Sequence, residues 1–324
     1  IIHFMSMGQN GRQVREIILN LAEQLQKYKI INESLKDEIL ALKTQVYESL
    51  EKYGQKIILA IDGLDEVEES AQDMVWFPKN LPSNVRIIAT SRPGVSWENL
   101  NLYKNLEKIT LEPLNDDEIS QIIKNHVATY KLNIDKSDQD ILRKRAAGNP
   151  LFLKVALEEI GETGIAVGQL ATSIDRLFNQ ILERLSNKHG EHIVTYYLGL
   201  IAASRLGLSE IEIREIILGG IYDESLLIEV MLSFENFIIK RGQNFSFFHP
   251  EFDRTIKQRL GRGEIRKYHK KLAEYFGSKG FLYPRTLWEI CYQSQWGEDY
   301  EKTLSLLSNL DFLESKCKIG MVDS

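Results

Sequence analysis

A chain of 324 residues, 43% of them hydrophobic, holds apolar material for two or three cores. Its formal net charge of -6 excludes indiscriminate coating of nucleic acid, although a local basic patch stays possible. Two cysteines, Cys291 and Cys317, cannot build a metal centre by themselves and are too few for a disulfide framework, which fits a reducing compartment. No apolar run approaches the roughly 20 residues that span a bilayer, so the expectation is a cytoplasmic protein without a membrane partner.

The chain opens on IIHFMSM, which reads as a strand already under way, and closes on NLDFLESKCKIGMVDS, inside an amphipathic helical pattern. Both ends read as cut, and the expectation is an internal piece of a longer protein. Ile1 to Ser6 reads as a strand, and Gly11 to about Lys52 as largely helical, with Ile17, Leu21, Leu25, Leu35, Ile39, Leu42 and Val46 at helical spacing. Ile57 to Ile61 reads as a buried strand and Asp73 to Leu81 as a short helix. NVRIIATS reads as a second buried strand and LEKITLEPL as a third. Continuous apolar runs separated by helices imply a parallel α/β sheet covered on both faces.

From Asp116 the pattern turns helical. A helix with an acidic start is followed by another, a break at Gly148-Asn149-Pro150, and a third helix. Helices around Ile174–Leu185, His192–Ala203, Ser209–Leu218 and Glu224–Ser233 precede two short β-like runs that flank Arg241 to Asn244. Helices followed by a hairpin give the pattern of a winged helix. From about Asp253 the reading is helical again. The fold class expected is therefore α/β and then mainly α: a partial parallel-sheet core, a helical domain, a winged helix and a helical linker.

Ligands of open parallel sheets bind beyond the carboxyl ends of the strands, so the polar residues that follow the buried runs are the ones to weigh. QKIILAIDGLDEVEES runs straight from a buried strand into Asp62, with Asp65 and Glu66 close behind. A carboxylate such as Asp62 can hold Mg2+ through its water shell beside nucleotide phosphates, and Glu66 can polarise a water. The plainer alternative makes Asp62 and Gly63 a turn and Asp65 a helix cap. TSRPG places Ser91 and Arg92 at the same edge, where Arg92 can meet a γ-phosphate, although Pro and Gly mark a turn in any case.

In order, IILAIDGLDE, RIIATSRPG, ITLEPLNDDEISQII, AAGNPLFLKVALEEI and FSFFHPEF resemble the NACHT class of signal-transduction ATPases with several domains, a branch of the AAA+ group. The resemblance implies that Asp62 is the Walker B magnesium acid, that Asp65 and Glu66 are the additional acids typical of the class, and that Arg92 is the sensor arginine. It further implies that Pro150 lies against adenine and that His249 touches the β-phosphate of bound ADP. The cofactors implied are ATP or ADP with Mg2+. The tail, YHKKLAEYFGSKG and LDFLESKCKIG, is similar to the helices that lead into WD40 or other repeats, which would bind protein ligands and are not in this sequence. The expected division is a partial core over 1–115, a helical lid over 116–170, a winged helix over 171–255 and a helical region over 256–324.

One departure stands out. The family's Gly-x-x-x-x-Gly-Lys-Ser/Thr phosphate loop should precede the Asp62 strand, yet the chain has no Gly-Lys pair, and MGQNGRQ is no substitute. The expectation is that the loop lies upstream of Ile1 and that these residues alone are inactive. The function expected is an ATP/ADP-operated switch that self-associates through the NTPase core. Two alternatives stay open: a DNA-binding regulator that uses the winged helix and the basic run Lys257 to Lys271, or a scaffold with a silent ATPase fold.

Overall fold

A computed structural model describes residues 1–4, 13–67, 71–101, 106–219 and 223–318. The loop MGQNGRQ lies almost wholly outside them. Three parallel strands, β1 (Ile2–Phe4), β2 (Ile57–Asp62) and β3 (Val85–Ala89), stand in the order β1-β2-β3. The register pairs Ile57 with Val85, Ile61 with Ala89 and Phe4 with Asp62, so Asp62 and the residue after Ala89 share the carboxyl edge.

Between β1 and β2 run α1 (Val14–Lys27) and α2 (Ile39–Tyr53). The single long helical stretch expected here is two helices, because Lys29 takes a positive φ of 58° and the chain turns. Glu38 then starts α2 by accepting from the backbone N–H groups of Leu40 and Ala41, and Gly54 ends it in a left-handed conformation. Ile18, Ala22, Leu25, Leu42, Val46 and Leu50 cover Ile57, Leu59 and Val85.

The opposite face of the strands behaves differently. Ile58 is 56% exposed and Ile88 59%. Among the described residues the sheet is therefore covered on one face, where the apolar runs predicted two. The helix expected over Asp73 to Leu81 is a series of turns, because Pro78 removes a helical donor from its middle and disfavours the helical conformation at Phe77. The strand expected at LEKITLEPL is also absent. Its backbone pairs with no described strand, and Ile109 and Leu111 are 81% and 87% exposed. A run of alternating apolar residues becomes a strand only where a neighbouring ladder receives it.

Beyond α3 (Val95–Leu100), the helices α4 (Asp116–Tyr130), α5 (Lys136–Ala146) and α6 (Pro150–Thr163) form a layer of their own. A capping box between Asn115 and Glu118 starts α4, as its acidic opening predicted. Between α5 and α6, Ala147 and Gly148 both take positive φ, 45° and 79°, and reverse the chain. Asn149 then caps α6 by accepting from the Phe152 N–H, with Pro150 at the first helical turn. Gly148 admits no side chain. A Cβ there would lie 2.4 Å from Pro113 Cβ and 3.0 Å from the Leu114 carbonyl.

Next come α7 (Ile174–His189), α8 (Glu191–Ala203), β4 (Leu208–Ser209), α9 (Glu210–Leu218), α10 (Glu224–Ser233), β5 (Ile238–Arg241) and β6 (Asn244–Phe247). The strands make a small antiparallel sheet in the order β4-β6-β5. The two-residue β4 was not legible as a strand. The chain then forms α11 (Pro250–Lys279), interrupted at Gly261, followed by α12 (Pro284–Trp296), α13 (Tyr300–Leu307) and α14 (Leu310–Lys318). One hydrophobic cluster runs without interruption from Ile119 in α4 to Phe312 in α14. Two polar joints stiffen it. Arg184 on α7 donates to both carboxylate oxygens of the buried Glu159 on α6, at 2.7 and 2.6 Å. Arg285 on α12 bonds Glu212 on α9 at 3.0 Å, and fully buried Glu289 accepts from the Arg205 and Leu206 N–H groups.

Candidate functional site

The site is assembled from three parts of the chain. At the carboxyl edge of the sheet, Gly63 takes φ 83° and turns the backbone into a short 3-10 segment over Leu64–Glu66. This leaves Asp62 exposed at the strand end and brings Asp65 and Glu66 around beside it. Thr90, just past β3, ties the edge together: its hydroxyl donates to Asp62 Oδ1 at 2.5 Å and accepts from the Gly63 N–H at 2.8 Å. Nothing in the sequence distinguished Thr90 from an ordinary strand-end residue, because its role depends on a neighbour 28 positions away.

Arg92 answers the other two acids. Its backbone N–H donates to Asp65 Oδ1 at 2.9 Å, its Nε lies 3.1 Å from Asp65 Oδ2, and its Nη2 lies 3.1 Å from Glu66 Oε1. Asp65 is thus the arginine's partner and caps no helix. The side chains of Asp65 and Glu66 are 19% and 13% exposed, whereas that of Arg92 is 55% exposed. The guanidinium therefore covers the acids from the solvent side.

The second part is the start of α6, where Pro150 is exposed and Lys154, one turn further on, projects away from the buried Phe152, Leu153 and Val155. The third is the start of α11. Phe252 packs at ring-centroid distances of 5.0 Å from both Phe178 and Phe237 and 5.4 Å from Phe247, so the aromatic residues of FSFFHPEF anchor the segment that carries His249. His249 is the N-cap residue of α11, its Nδ1 accepting from the Glu251 N–H at 3.1 Å. That bond leaves Nε2 as the protonated, donating nitrogen of the neutral ring. Burial holds the ring below the usual histidine range, with Glu251 opposing and the charges of Arg92 and Lys154 adding to the depression. Arg92 and Lys154 therefore both lie within electrostatic reach of His249. Lys154 was not singled out by its sequence context. Its Nζ stands 5.2 Å from the centroid of the Phe248 ring, next to His249.

Among the described residues no group of three His, Cys, Asp or Glu side chains could cage a metal ion, and no helix is long and apolar enough to cross a membrane.

The NACHT-domain family model matches residues 12–130, the stretch that contains Asp62, Asp65, Glu66 and Arg92. The human NACHT domain- and WD repeat-containing protein 1 is 27% identical over 177 residues, which are 50% of this chain and 11% of that protein. A TPR repeat-containing protein of Dictyostelium discoideum is 24% identical over 273 residues, 79% of this chain and 16% of its own length. Among solved structures, the crystal structure of a signal transduction ATPase with numerous domains and a tetratricopeptide repeat sensor, from Pyrococcus horikoshii, superposes with a TM-score of 0.56. It covers 97% of this chain and 47% of that one.

The chain thus carries a NACHT-like stretch over residues 12–130 and is similar to NACHT-type signal-transduction ATPases. At 15% identity the structural likeness speaks for the fold, an NTPase core followed by a helical domain. The chain spans only 16% and 11% of the two curated relatives named above. The family match ends before Pro150, Lys154 and His249, so the roles of those residues rest on the geometry around them.

Proposed function

We propose that this chain belongs to a NACHT-type ATP/ADP-operated switch, closed when a nucleotide bridges the sheet edge, the start of α6 and the start of α11. The observation that carries the reading is that Arg92, paired with the acids after β2, and Lys154, set over the Phe248 ring, both lie within electrostatic reach of His249. In this reading Asp62 is the Walker B acid, Pro150 lies against the base, and the Nε2–H of His249 donates to a phosphate oxygen. The order helix, strand, two helices and hairpin, with β4 added to the sheet, supports a winged helix over 171–255.

The donor set suits a Mg2+ ion held by one protein carboxylate, water and phosphates. Among the described residues, exposed Asp62 has only Oδ1 engaged and no cage of carboxylates beside it. Such an ion would neutralise charge on the phosphates. Thr90 fixes the Asp62 carboxylate. Arg92 screens Asp65 and Glu66, and its release toward a γ-phosphate would free Glu66 to orient water. Exchange of ADP for ATP would break the bridge and permit self-association. Such a response requires unequal contacts to the two nucleotides, and Arg92 and His249 supply them from opposite sides.

The DNA-binding alternative gains nothing from the structure. The last helix before the hairpin of the proposed winged helix, α10, carries Glu224 and Glu229 and no Lys or Arg. In the basic run, Lys257, Arg266 and Lys267 are ion-paired with Asp253, Glu298 and Glu264.

The switch is tested in the full-length protein by two substitutions. Glu66→Gln should slow single-turnover hydrolysis by about 100-fold or more while sparing nucleotide binding. His249→Ala should speed ADP release and lower the stimulus needed for assembly. Unchanged ADP release from a folded His249→Ala protein, with hydrolysis also unchanged in Glu66→Gln, would sink the proposal.

A further inference from the structure

Three features set Lys154 apart. The helix that carries it is otherwise apolar on this stretch, with Phe152, Leu153, Val155, Ala156 and Leu157 buried around it. Its Nζ reaches 5.2 Å from the centre of the Phe248 ring, which places a positive charge beside His249 without covering it. Among the described residues its one ion pair is a long one, 3.8 Å to Glu158, and its side chain remains 51% exposed. Arg92, by contrast, has its charge matched by Asp65 and Glu66 at 3.1 Å each. Of the two cations within electrostatic reach of His249, Lys154 is thus the more loosely matched.

A lysine ammonium on a flexible stem is a compact, rotatable donor suited to non-bridging phosphate oxygens. The aromatic ring beneath it holds the stem and raises the cost of swinging away. The His249 Nε2–H is the second donor, on a ring whose centroid lies 5.8 Å from that of Phe248. We infer that Lys154 is a phosphate-contacting residue, pairing with His249 so that the start of α6 grips a nucleotide through its phosphates and not through its base alone. This deepens the switch reading and rests on it. It also gives the bridge a reason to close: an oxyanion drawn between Lys154 and His249 connects α6 to α11, which the neutral nucleoside cannot do.

The test uses the full-length protein at low ionic strength, with inorganic pyrophosphate as the probe, followed by calorimetry and by the NMR signals of the His249 ring. Lys154→Met keeps the apolar stem over Phe248 and removes the charge; Lys154→Arg keeps the charge; Arg92→Gln tests the pocket independently. Lys154→Met should weaken pyrophosphate about five- to tenfold, as expected for one lost charged contact, and Lys154→Arg should stay within about twofold of the parent. The Lys154→Met substitution should also move the His249 titration upward in the absence of any ligand, because a nearby positive charge has been removed, which loss of packing would not do. If Lys154→Met binds pyrophosphate as the parent does while Arg92→Gln is weakened, the inference fails and the nucleotide pocket stands. If neither substitution changes binding, or the parent shows none, the pocket itself is wrong and Lys154 falls with it.

Discussion

The ion pair between Glu159 and Arg184 decides how α6 sits, and hence where Pro150 and Lys154 point. Glu159 is 3% exposed and takes two charge-assisted hydrogen bonds from Arg184, at 2.7 and 2.6 Å. Arg184→Met would keep an apolar stem and leave the carboxylate buried without its partner. Breaking a buried pair from one side costs about 3–5 kcal/mol, and since the Arg184 side chain is 32% exposed the lower end, about 3 kcal/mol, is expected. For a cooperative unit of the size of the α4–α14 cluster that is a fall in Tm of roughly 6–12 °C. The companion Glu159→Met restores an apolar contact, so the double variant should recover most of the loss, with a coupling energy of about 2 kcal/mol. Urea unfolding of the four proteins, monitored by circular dichroism, measures the cycle. A single Arg184→Met cost below about 1 kcal/mol, or a strictly additive double variant, would refute the argument that this pair holds α6 in place.

Gly148→Ala should lose about 2–4 kcal/mol in the same unfolding assay, the sum of a left-handed backbone imposed on alanine and a Cβ 2.4 Å from Pro113 Cβ; parental stability would contradict the steric reasoning. Stability should also depend on pH through His189, His249 and His269, each held below the ordinary range chiefly by burial. All three are neutral in both folded and unfolded chains well above pH ~6.5, so stability is level there, and it is lost as pH falls from about 6.5 through the lower folded values. A thermal midpoint that rose on acidification from pH 7 to pH 5.5 would contradict that sign.

The sequence was most informative where a local rule is enough. The strand over Ile57 to Ile61, the acidic start of α4 and the Gly148-Asn149-Pro150 reversal each depend on a few adjacent residues, and each appears where the pattern placed it, although the strand is buried on alternate residues and not throughout. The acids after β2 and Arg92 after β3 were legible as a site because strand ends in a parallel sheet share an edge. Local pattern misled where a neighbour decides. LEKITLEPL alternates like a strand but meets no described ladder, and Asp73 to Leu81 looked helical until Pro78 was weighed. Asp65, the plausible helix cap, bonds Arg92, 27 residues away. Thr90 and Lys154 carried no signal at all, since a threonine after a strand and a lysine on an apolar helix are ordinary in one dimension. Their meaning comes from what folding sets opposite them, Asp62 in one case and the Phe248–His249 step in the other. Secondary structure and strand ends follow from short-range sterics and periodicity, whereas a site shared by three parts of a chain exists only once their packing has fixed the distances between them.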